Sequence, residues 1–263
     1  MPDNAETLTR LRDEIDQADR DMHELLIRRS QVIEQLIKAK GTRSNAGSQG
    51  GAAFRPDREA AVIRRLAERH QGVLPFLTVA HIWRVIIATF TQAQAPYTVH
   101  LGGGNHDLRD LARFQFGFST PVQATPDAAA AIARVVTDPG DLALVDLDEP
   151  GCWWSDVTQA HVMAVLPDIA LPDGLSLPRA AVIAATSVSV DMLSQAVLSV
   201  TAAEDAALPV FAERHAARVL AGPAKTGEKE SALLLLPRAN VAAAITDDAA
   251  DVRDFGGTWE GML

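Results

Sequence analysis

The sequence predicts a multidomain chain, an all-helical N-terminal domain followed by an α/β domain with a mostly parallel sheet. Between residues 8 and 94, apolar residues recur every three or four positions, which is the period of helices that bury one face. From Tyr97 onward, short apolar runs alternate with helix-like stretches, the order that is typical of strands joined by crossover helices. Ala95-Pro96 separates the two patterns, so we predict domains at residues 1–96 and 97–263.

The first helix is predicted from about Ala5 to Lys40, just before Gly41, which suits the position after a helix end. Its apolar stripe steps alternately by three and four residues, as in a helix that pairs with another helix. The stripe consists of Leu8, Leu11, Ile15, Ala18, Met22, Leu25, Arg29, Val32, Leu36 and Ala39. Arg29 is the exception, because a charge in an apolar seam is costly unless an anion meets it.

The cations along this helix indicate a site that is shared between two chains. At about 1.5 Å per residue, Arg29 and Lys40 lie roughly 16 Å apart and about three full turns, so they face nearly the same side. Arg12 lies roughly 25 Å from Arg29 and cannot join them within one helix. It could reach the same small anion from an antiparallel second copy, which makes a homodimer with shared sites the hypothesis.

A second helix is predicted to open at Pro56, a residue that suits the first helical position. The preceding residues 41–53 are small, polar and rich in glycine, typical either of a mobile loop that a ligand could order or of a plain connector. Asp57 and Glu59 complement the helix dipole, whereas Arg58 opposes it. A nearby anion would explain Arg58, and so would ordinary surface exposure.

A third helix is predicted from Pro75 to Gln94. Its apolar face is predicted to comprise Val79, Ile82, Trp83, Ile86, Ile87 and Phe90. Gln94 lies on the same side as Phe90, so it is either a polar residue at a frayed end or a hydrogen bonder that points inward.

The α/β domain is predicted from runs of two kinds. Six apolar runs read as strands: Tyr97–Leu101, Leu142–Leu147, His161–Leu166, Ala180–Ala185, Ala232–Leu236 and Val241–Ile245. Four stretches read as helices: Leu108–Phe116, Ala128–Val136, Met192–Val200 and Ala206–Leu220.

Composition narrows the class of partner and the compartment. The net charge is −10, and residues 1–95 carry 14 Lys and Arg against 12 Asp and Glu, while the remainder carries 10 against 22. The acidic second half argues against nucleic acid, and the first half is where a small anion would bind. The polar N-terminus and the apparent lack of an apolar run of membrane-spanning length predict a cytoplasmic protein with no membrane partner.

Motifs for covalent or metal chemistry are missing from the sequence. The histidines show no metal-binding spacing, and the single cysteine, Cys152, excludes a disulfide framework and has no histidine placed to activate it. Gly102–Asn105 lies between a strand and a helix, where it forms either an anion-binding turn or, as we favour, a tight connection. An enzyme of this kind would act through cations and shape, without a cofactor or metal.

The ordered set of Arg12, Arg29, Lys40, Arg58-Glu59 and Gln94 resembles the all-helical (AroQ-class) chorismate mutases over residues 8–95. The resemblance implies an intertwined homodimer of three-helix protomers that converts chorismate to prephenate in aromatic amino acid biosynthesis, on the shikimate pathway. By the same resemblance, Arg29 and Arg58 bind substrate carboxylates, with Arg12 from the other subunit. Lys40 and Gln94 hydrogen-bond the ether oxygen, and Glu59 holds the ring hydroxyl.

Two residues of the implied substrate pocket depart from the family pattern. Arg55 stands where the family often has an acidic residue, and Phe90 stands where it often has serine. Both substitutions change the predicted pocket. They keep open the alternative that the chain is a non-catalytic dimeric sensor of an aromatic metabolite.

The α/β domain more faintly resembles the catalytic domain of prephenate dehydratases. The similar stretches are 99–102, 116–121 and 144–146, whereas the family's Thr-Arg-Phe signature is missing and Ala184-Ala185-Thr186-Ser187 does not replace it. We therefore interpret this part as a degenerate dehydratase domain. A bifunctional mutase–prephenate dehydratase is the alternative enzyme.

Overall fold

The chain folds into two compact units, Met1–Asn45 and Ala46–Leu263. The computed structural model describes residues 4–40, 54–155, 157–185, 194–202, 207–226 and 229–258. The stretch 41–53, predicted as a loop or connector, lies outside these residues, as do Thr186 and Ser187. The second and third helices lie in the same compact unit as the sheet, and the assignment of residues 1–96 to a separate domain stays a prediction.

The first unit contains one long helix, α1, Asn4–Lys40, which confirms the helix predicted from the apolar stripe. The ion pairs Arg10–Glu14 and Glu34–Lys38 each join residues one turn apart and contribute a few tenths of a kcal/mol, about 0.2–0.5, to the helix. The large apolar residues of the stripe are exposed by 42% to 63%: Leu8, Leu11, Ile15, Met22, Leu25 and Val32. Most of the stability of a helix comes from packing its apolar face, and these side chains make little of that packing within the single chain.

In the second unit, the described residues begin with two further helices: α2, Pro56–Arg69, and α3, Phe76–Gln94. They pack together through a small apolar cluster that includes Ile63, Leu66 and Ala80. Among the described helices, α3 is long and apolar enough to cross a membrane by length and composition, so the expectation that no apolar run reaches that length is wrong. The core helix of a globular protein meets the same criterion, and α3 carries a buried arginine at its centre.

The remaining described residues of the unit form a sheet of nine strands, four more α-helices and a short 3-10 helix, Arg238–Asn240. The strands are β1 Val99–Gly102, β2 Val122–Thr125, β3 Leu142–Asp146, β4 His161–Leu166, β5 Ala180–Ala184, β6 Gln195–Ala202, β7 Arg218–Thr226, β8 Lys229–Pro237 and β9 Asp251–Thr258. The helices are α4 His106–Phe116, α5 Ala128–Thr137, α6 Ala207–Arg214 and α7 Val241–Ile245.

The prediction of a mostly parallel sheet is wrong. The strand order is β2-β1-β3-β5-β4-β9-β6-β8-β7, and of the pairs among the described strands only β1–β2, β1–β3 and β4–β9 are parallel. The parallel β1–β2 pair is joined by α4, and α5 leads from β2 to β3. Elsewhere a short link can join two strands directly, as between β7 and β8, which are two residues apart, and such a link produces an antiparallel pair.

Three predicted elements of this sheet region have the wrong type or extent. Met192–Val200 was expected to be a helix, but its residues from Gln195 onward lie in strand β6, whose nearly continuous burial gives no helical or strand period. Val241–Ile245 was expected to be a strand and forms α7. The helix expected over Ala206–Leu220 ends at Arg214, after which Ala216 takes a φ of 51° and the chain enters β7.

Helices α4 and α5 cover opposite faces of the central strands. Leu142 and Leu144 of β3 pack with α4, whereas Ala143 and Val145 pack with α5. This division follows from the alternation of side chains along a strand. The C-terminal end of α4, which carries Gln115, lies near the helices α2 and α3.

Candidate functional site

Four polar side chains of the second unit form one buried cluster, which we call the Glu59 network: Glu59, Arg84, Gln115 and Asp168. The Arg84 side chain is fully buried, and its Nη1 donates hydrogen bonds to Glu59 Oε1 at 2.8 Å and to Gln115 Oε1. Its Nη2 donates to Asp168 Oδ1 at 2.5 Å. Gln115 Nε2 donates to the same Glu59 oxygen at 2.8 Å, so the four groups form a continuous hydrogen-bonded set.

Each member of the network comes from a different part of the fold. Glu59 lies in the first turn of α2, Arg84 at the middle of α3, Gln115 near the end of α4, and Asp168 just after β4. The buried side of α3 is made by Ala80, Arg84, Ala88 and Thr91, which recur every three or four residues. The small side chains on either side of Arg84 leave room for its guanidinium to reach all three partners.

The predicted apolar face of α3 is a different face from the buried one. Its members, Val79, Ile82, Trp83, Ile86, Ile87 and Phe90, are half-buried or exposed. The apolar face of α3 is therefore only partly covered within the single chain. The face of α3 that is buried has the polar residue Arg84 at its centre.

Burial raises the pKa of Glu59 to about 7, because desolvation penalises its charged form more than the neighbouring cation favours it. Arg84 and the hydrogen bond from Gln115 lower this pKa, and the charge of Asp168 raises it. Glu59 also lines a pocket with a volume of about 460 Å³ that includes its open mouth. The pocket is further lined by Pro56, Ala60, Ile63, Arg64, Gln115, Ala164, Leu166, Asp168 and Thr258.

The raised pKa of Glu59 predicts that the stability of the chain falls as the pH rises. The unfolded carboxyl titrates near 4.5 and the folded one near 7, so between these values the folded state binds more protons. The stability contribution is complete below the lower value and lost above the higher one, on the order of 3 kcal/mol in total. Glu59→Gln should remove most of this slope when urea unfolding is measured at pH about 5 and about 8.

The exposed Glu68 on α2 provides the matched control, because Glu68→Gln removes the same charge without touching the network. That variant should keep the pH slope of the parent chain. An unchanged slope in Glu59→Gln would show that Glu59 titrates at its ordinary pKa in the folded chain.

The other predicted residues of this segment, Arg55 and Arg58, are exposed at the start of α2. Arg55 precedes the helix and binds Asp57 through two hydrogen bonds, from Nε to Oδ1 at 2.9 Å and from Nη2 to Oδ2 at 2.5 Å. Arg58 is exposed in the first turn. Arg55 is therefore held by an acidic neighbour, and Arg58 is open to an anion.

The predicted residues of α3 lie together at its C-terminal end. Gln94 Nε2 donates to the backbone oxygen of Phe90 at 3.1 Å, one turn earlier in the same helix. Both residues are half-buried. Gln94 thus fits the description of a polar residue at a helix end in this single chain.

Three predicted residues belong to α1 and are described with that helix alone. Arg12 lies in its exposed first half, Arg29 occupies the apolar stripe and Lys40 is the last helical residue. The side chain of Lys40 lies outside the described residues. The roles predicted for all eight residues, from Arg12 to Gln94, stay predictions.

Sequence reasoning missed Arg84, Gln115 and Asp168. A signal for Arg84 was available, because it is the one Lys, Arg, Asp or Glu in the 19 residues of α3. A lone charge in an apolar helix requires a buried partner. Gln115 and Asp168 gave no such signal, because their partners are distant in sequence.

The other sequence candidates have structural roles in the described residues. The Asn105 side chain accepts a hydrogen bond from Asp107 N at 2.9 Å and caps α4, in keeping with the tight connection that we favoured. Cys152 Sγ lies 3.4 Å from Ala224 O, next to the buried Trp154. Among the described residues, no group of three or more His, Cys, Asp or Glu is placed to hold a metal ion.

Comparisons with known proteins agree with the sequence motifs of the helical segment. Residues 11–95 match the family "Chorismate mutase type II". A bifunctional chorismate mutase/prephenate dehydratase from Neisseria gonorrhoeae (strain ATCC 700825 / FA 1090) is 28% identical over 138 residues. This alignment covers 52% of the present chain and 36% of that protein, so the chain spans about a third of its relative's length.

A solved structure described as "GqqA- a novel type of quorum quenching acylases" overlaps 61% of the chain and 93% of its own length. Its sequence identity is 10% and its TM-score 0.44. The family match covers the stretch that contains Arg12, Arg29, Lys40, Arg58, Glu59 and Gln94. The resemblance of the N-terminal segment to the all-helical chorismate mutases is therefore confirmed for residues 11–95.

Proposed function

We propose that this chain is a chorismate mutase, an isomerase of aromatic amino acid biosynthesis that acts in the cytoplasm on chorismate without a cofactor. One observation carries the proposal. The cations expected of this activity occur in order within the stretch that matches the chorismate mutase type II family, and Arg12, Arg29 and Lys40 lie on one uninterrupted helix.

The reaction needs the groups that this segment supplies. Chorismate is a dianion that rearranges within one molecule, so no proton transfer and no covalent intermediate is required. Catalysis comes from holding the reactive conformer and placing cations where negative charge grows on the ether oxygen. In the proposal Arg12, Arg29 and Arg58 bind the carboxylates, and Lys40 and Gln94 bind the ether oxygen.

The remaining proposed pocket residues set its shape and orient the ring. In the proposal Glu59 accepts the hydrogen bond of the ring hydroxyl, and Arg55 and Phe90 contact the substrate. Arg55 is already paired with Asp57, so an acidic side chain is present next to the position where the family often has one.

A homodimer that shares its active sites is part of the proposal. The exposed apolar stripe of α1 is a surface of the kind that pairs with a second helix. In an antiparallel pair, Arg12 of one chain would lie at the cationic end of the other. The roughly 25 Å between Arg12 and Arg29 on one helix is the reason for needing the second chain.

The direct test follows chorismate in the presence of the purified chain and identifies the product. Prephenate as the only product supports the proposed function. Phenylpyruvate as a further product supports the bifunctional alternative, which is favoured by the name of the gonococcal relative. If neither is formed at micromolar enzyme, the mutase proposal fails and the dimeric sensor of an aromatic metabolite takes its place.

Shared sites predict that two inactive variants restore each other. Arg12→Ala and Arg29→Ala chains, each inactive alone, should regain part of the parent activity when they are mixed under conditions that exchange subunits. In the mixed dimer, one of the two sites receives both parent arginines. Activity and heterodimer content are measured on the same mixture, and a proven heterodimer without recovered activity would contradict sharing.

A further inference from the structure

The Glu59 network joins the family-matched segment to residues that lie beyond it. Glu59 and Arg84 fall within residues 11–95, whereas Gln115 and Asp168 belong to the α/β domain. Arg84 is fully buried, so its position is set entirely by these partners and by the packing of α3. Two side chains of the α/β domain thus determine where the cation beside Glu59 lies.

We propose that Arg84, held by Gln115 and Asp168, is a positioning residue that fixes the Glu59 carboxylate for the ring hydroxyl of the substrate. The α/β domain thereby tunes the mutase site through hydrogen bonds without touching the substrate. This inference rests on the proposed function, because it assigns a purpose to the geometry around one of its site residues.

The hydrogen-bond geometry supports a positioning role. Glu59 Oε1 accepts from both Arg84 Nη1 and Gln115 Nε2 at 2.8 Å, so this oxygen cannot rotate without breaking two bonds. The carboxyl plane is thereby fixed with Glu59 lining the pocket, through which a hydroxyl group could approach. An ionised carboxylate accepts a hydrogen bond from a substrate hydroxyl more strongly than the protonated acid does, so the partners that set the ionisation of Glu59 also set how strongly it holds that hydroxyl.

The two α/β partners act on the ionisation of Glu59 in opposite directions. Asp168 is an anion near a second anion and favours the protonated form of Glu59, whereas the Gln115 amide donates to Glu59 and favours the ionised form. Removing the charge of Asp168 should therefore lower the pKa of Glu59. Removing the amide donor of Gln115 should raise it.

Other charged or titratable groups around Glu59 leave this prediction unchanged. On α2, Arg55 and Asp57 are paired with each other, Arg58 is exposed, and Arg64 lies at the rim of the pocket. Arg84 is the cation of α3. Tyr97 is a neutral neighbour whose pKa is raised to about 12, mainly by burial and to a smaller extent by the charge of Glu59.

The test uses the full chain with Asp168→Asn and Gln115→Met. The pH dependence of kcat/KM for chorismate is measured together with the infrared carbonyl band of protonated Glu59, which is assigned by its loss in Glu59→Gln. We expect the midpoint to move to lower pH in Asp168→Asn and to higher pH in Gln115→Met, in both measurements. A midpoint that moves from 7 to 6 would raise the ionised fraction at pH 6 from about one tenth to about one half.

Matched controls are available in the same chain. Asp173→Asn and Gln71→Met make the same chemical changes at exposed positions and should leave both midpoints in place. Arg84→Lys tests the fork of hydrogen bonds, because it keeps the charge but cannot bind Glu59, Gln115 and Asp168 together; it should lower kcat/KM while the chain stays folded.

The result separates this inference from the proposed function. Infrared midpoints that do not move in opposite directions overturn the inference, even if the chain is an active mutase. Infrared midpoints that move while the activity profile does not also overturn it, because Glu59 would then titrate without serving the reaction. Absence of any mutase activity in the parent chain defeats the proposed function and the positioning role with it.

Discussion

Arg29→Ala is expected to lower chorismate turnover by at least about 100-fold, the loss typical of removing one preorganised charged group from the transition state. Arg29 lies in the apolar stripe of α1, and it falls within the stretch that matches the chorismate mutase type II family. In the proposed site it binds a substrate carboxylate, so alanine removes the charge that holds the reactive conformer. Steady-state kinetics on the purified variant measures the loss, and circular dichroism shows whether α1 is still helical.

Arg28 supplies a control at the neighbouring position. Arg28 is exposed on the same helix and lies outside the predicted site. Arg28→Ala therefore removes the same charge one residue away from Arg29. Its turnover should stay close to that of the parent chain. Equal losses in the two variants, or full turnover in Arg29→Ala, would mean that the site is elsewhere.

The elements that could be predicted are those with a strong period. The alternate three- and four-residue spacing from Leu8 to Ala39 predicted α1, and strands β3, β4 and β5 followed from apolar runs bounded by turns. The type of element formed by β6 could not be predicted in the same way. Gln195–Ala202 is buried along nearly its whole length, so its period does not distinguish a central strand from a buried helix.

The residues of the candidate site likewise fall into those that the sequence pattern predicted and those that it did not. The cations of α1 and Arg58-Glu59 were found because their spacing and types resemble a known family. The surroundings of Glu59 were not found, because Gln115 and Asp168 lie 56 and 109 positions beyond it and meet it only through the tertiary fold. Of the three residues that were missed, only Arg84 had a signal in the sequence, because it is the one charged residue of an otherwise apolar helix.

Burying a charged network costs solvation, and the Glu59 network limits that cost by sharing one cation among three acceptors. Asp168 keeps a quarter of its side chain exposed and Glu59 lines the pocket, so both carboxyl groups retain some contact with solvent. Arg84 has no such contact. The stability of this region should therefore depend on Arg84 far more than on either carboxylate.

Arg84→Met is expected to destabilise the chain by about 3–5 kcal/mol near pH 8, the range for removing one partner of a buried ion pair. Methionine is similar in length but leaves Glu59 and Asp168 facing each other without a cation. Glu59 can relieve this repulsion by taking up a proton, and its pKa should rise above about 7 because Arg84 lowers it in the parent chain. The loss of stability should consequently be smaller near pH 5.

Urea unfolding of Arg84→Met at the two pH values measures this difference, with Arg65→Met on the exposed side of α2 as the control. The control should change the free energy of unfolding by less than about 0.5 kcal/mol at either pH, as substitutions on open surfaces usually do. An equal loss at both pH values would show that Glu59 does not take up the proton, and the cation would then stabilise the fold by packing alone. A loss that grows with pH would instead tie the stability of α2 and α3 to the ionisation of Glu59, the residue proposed to hold the substrate hydroxyl.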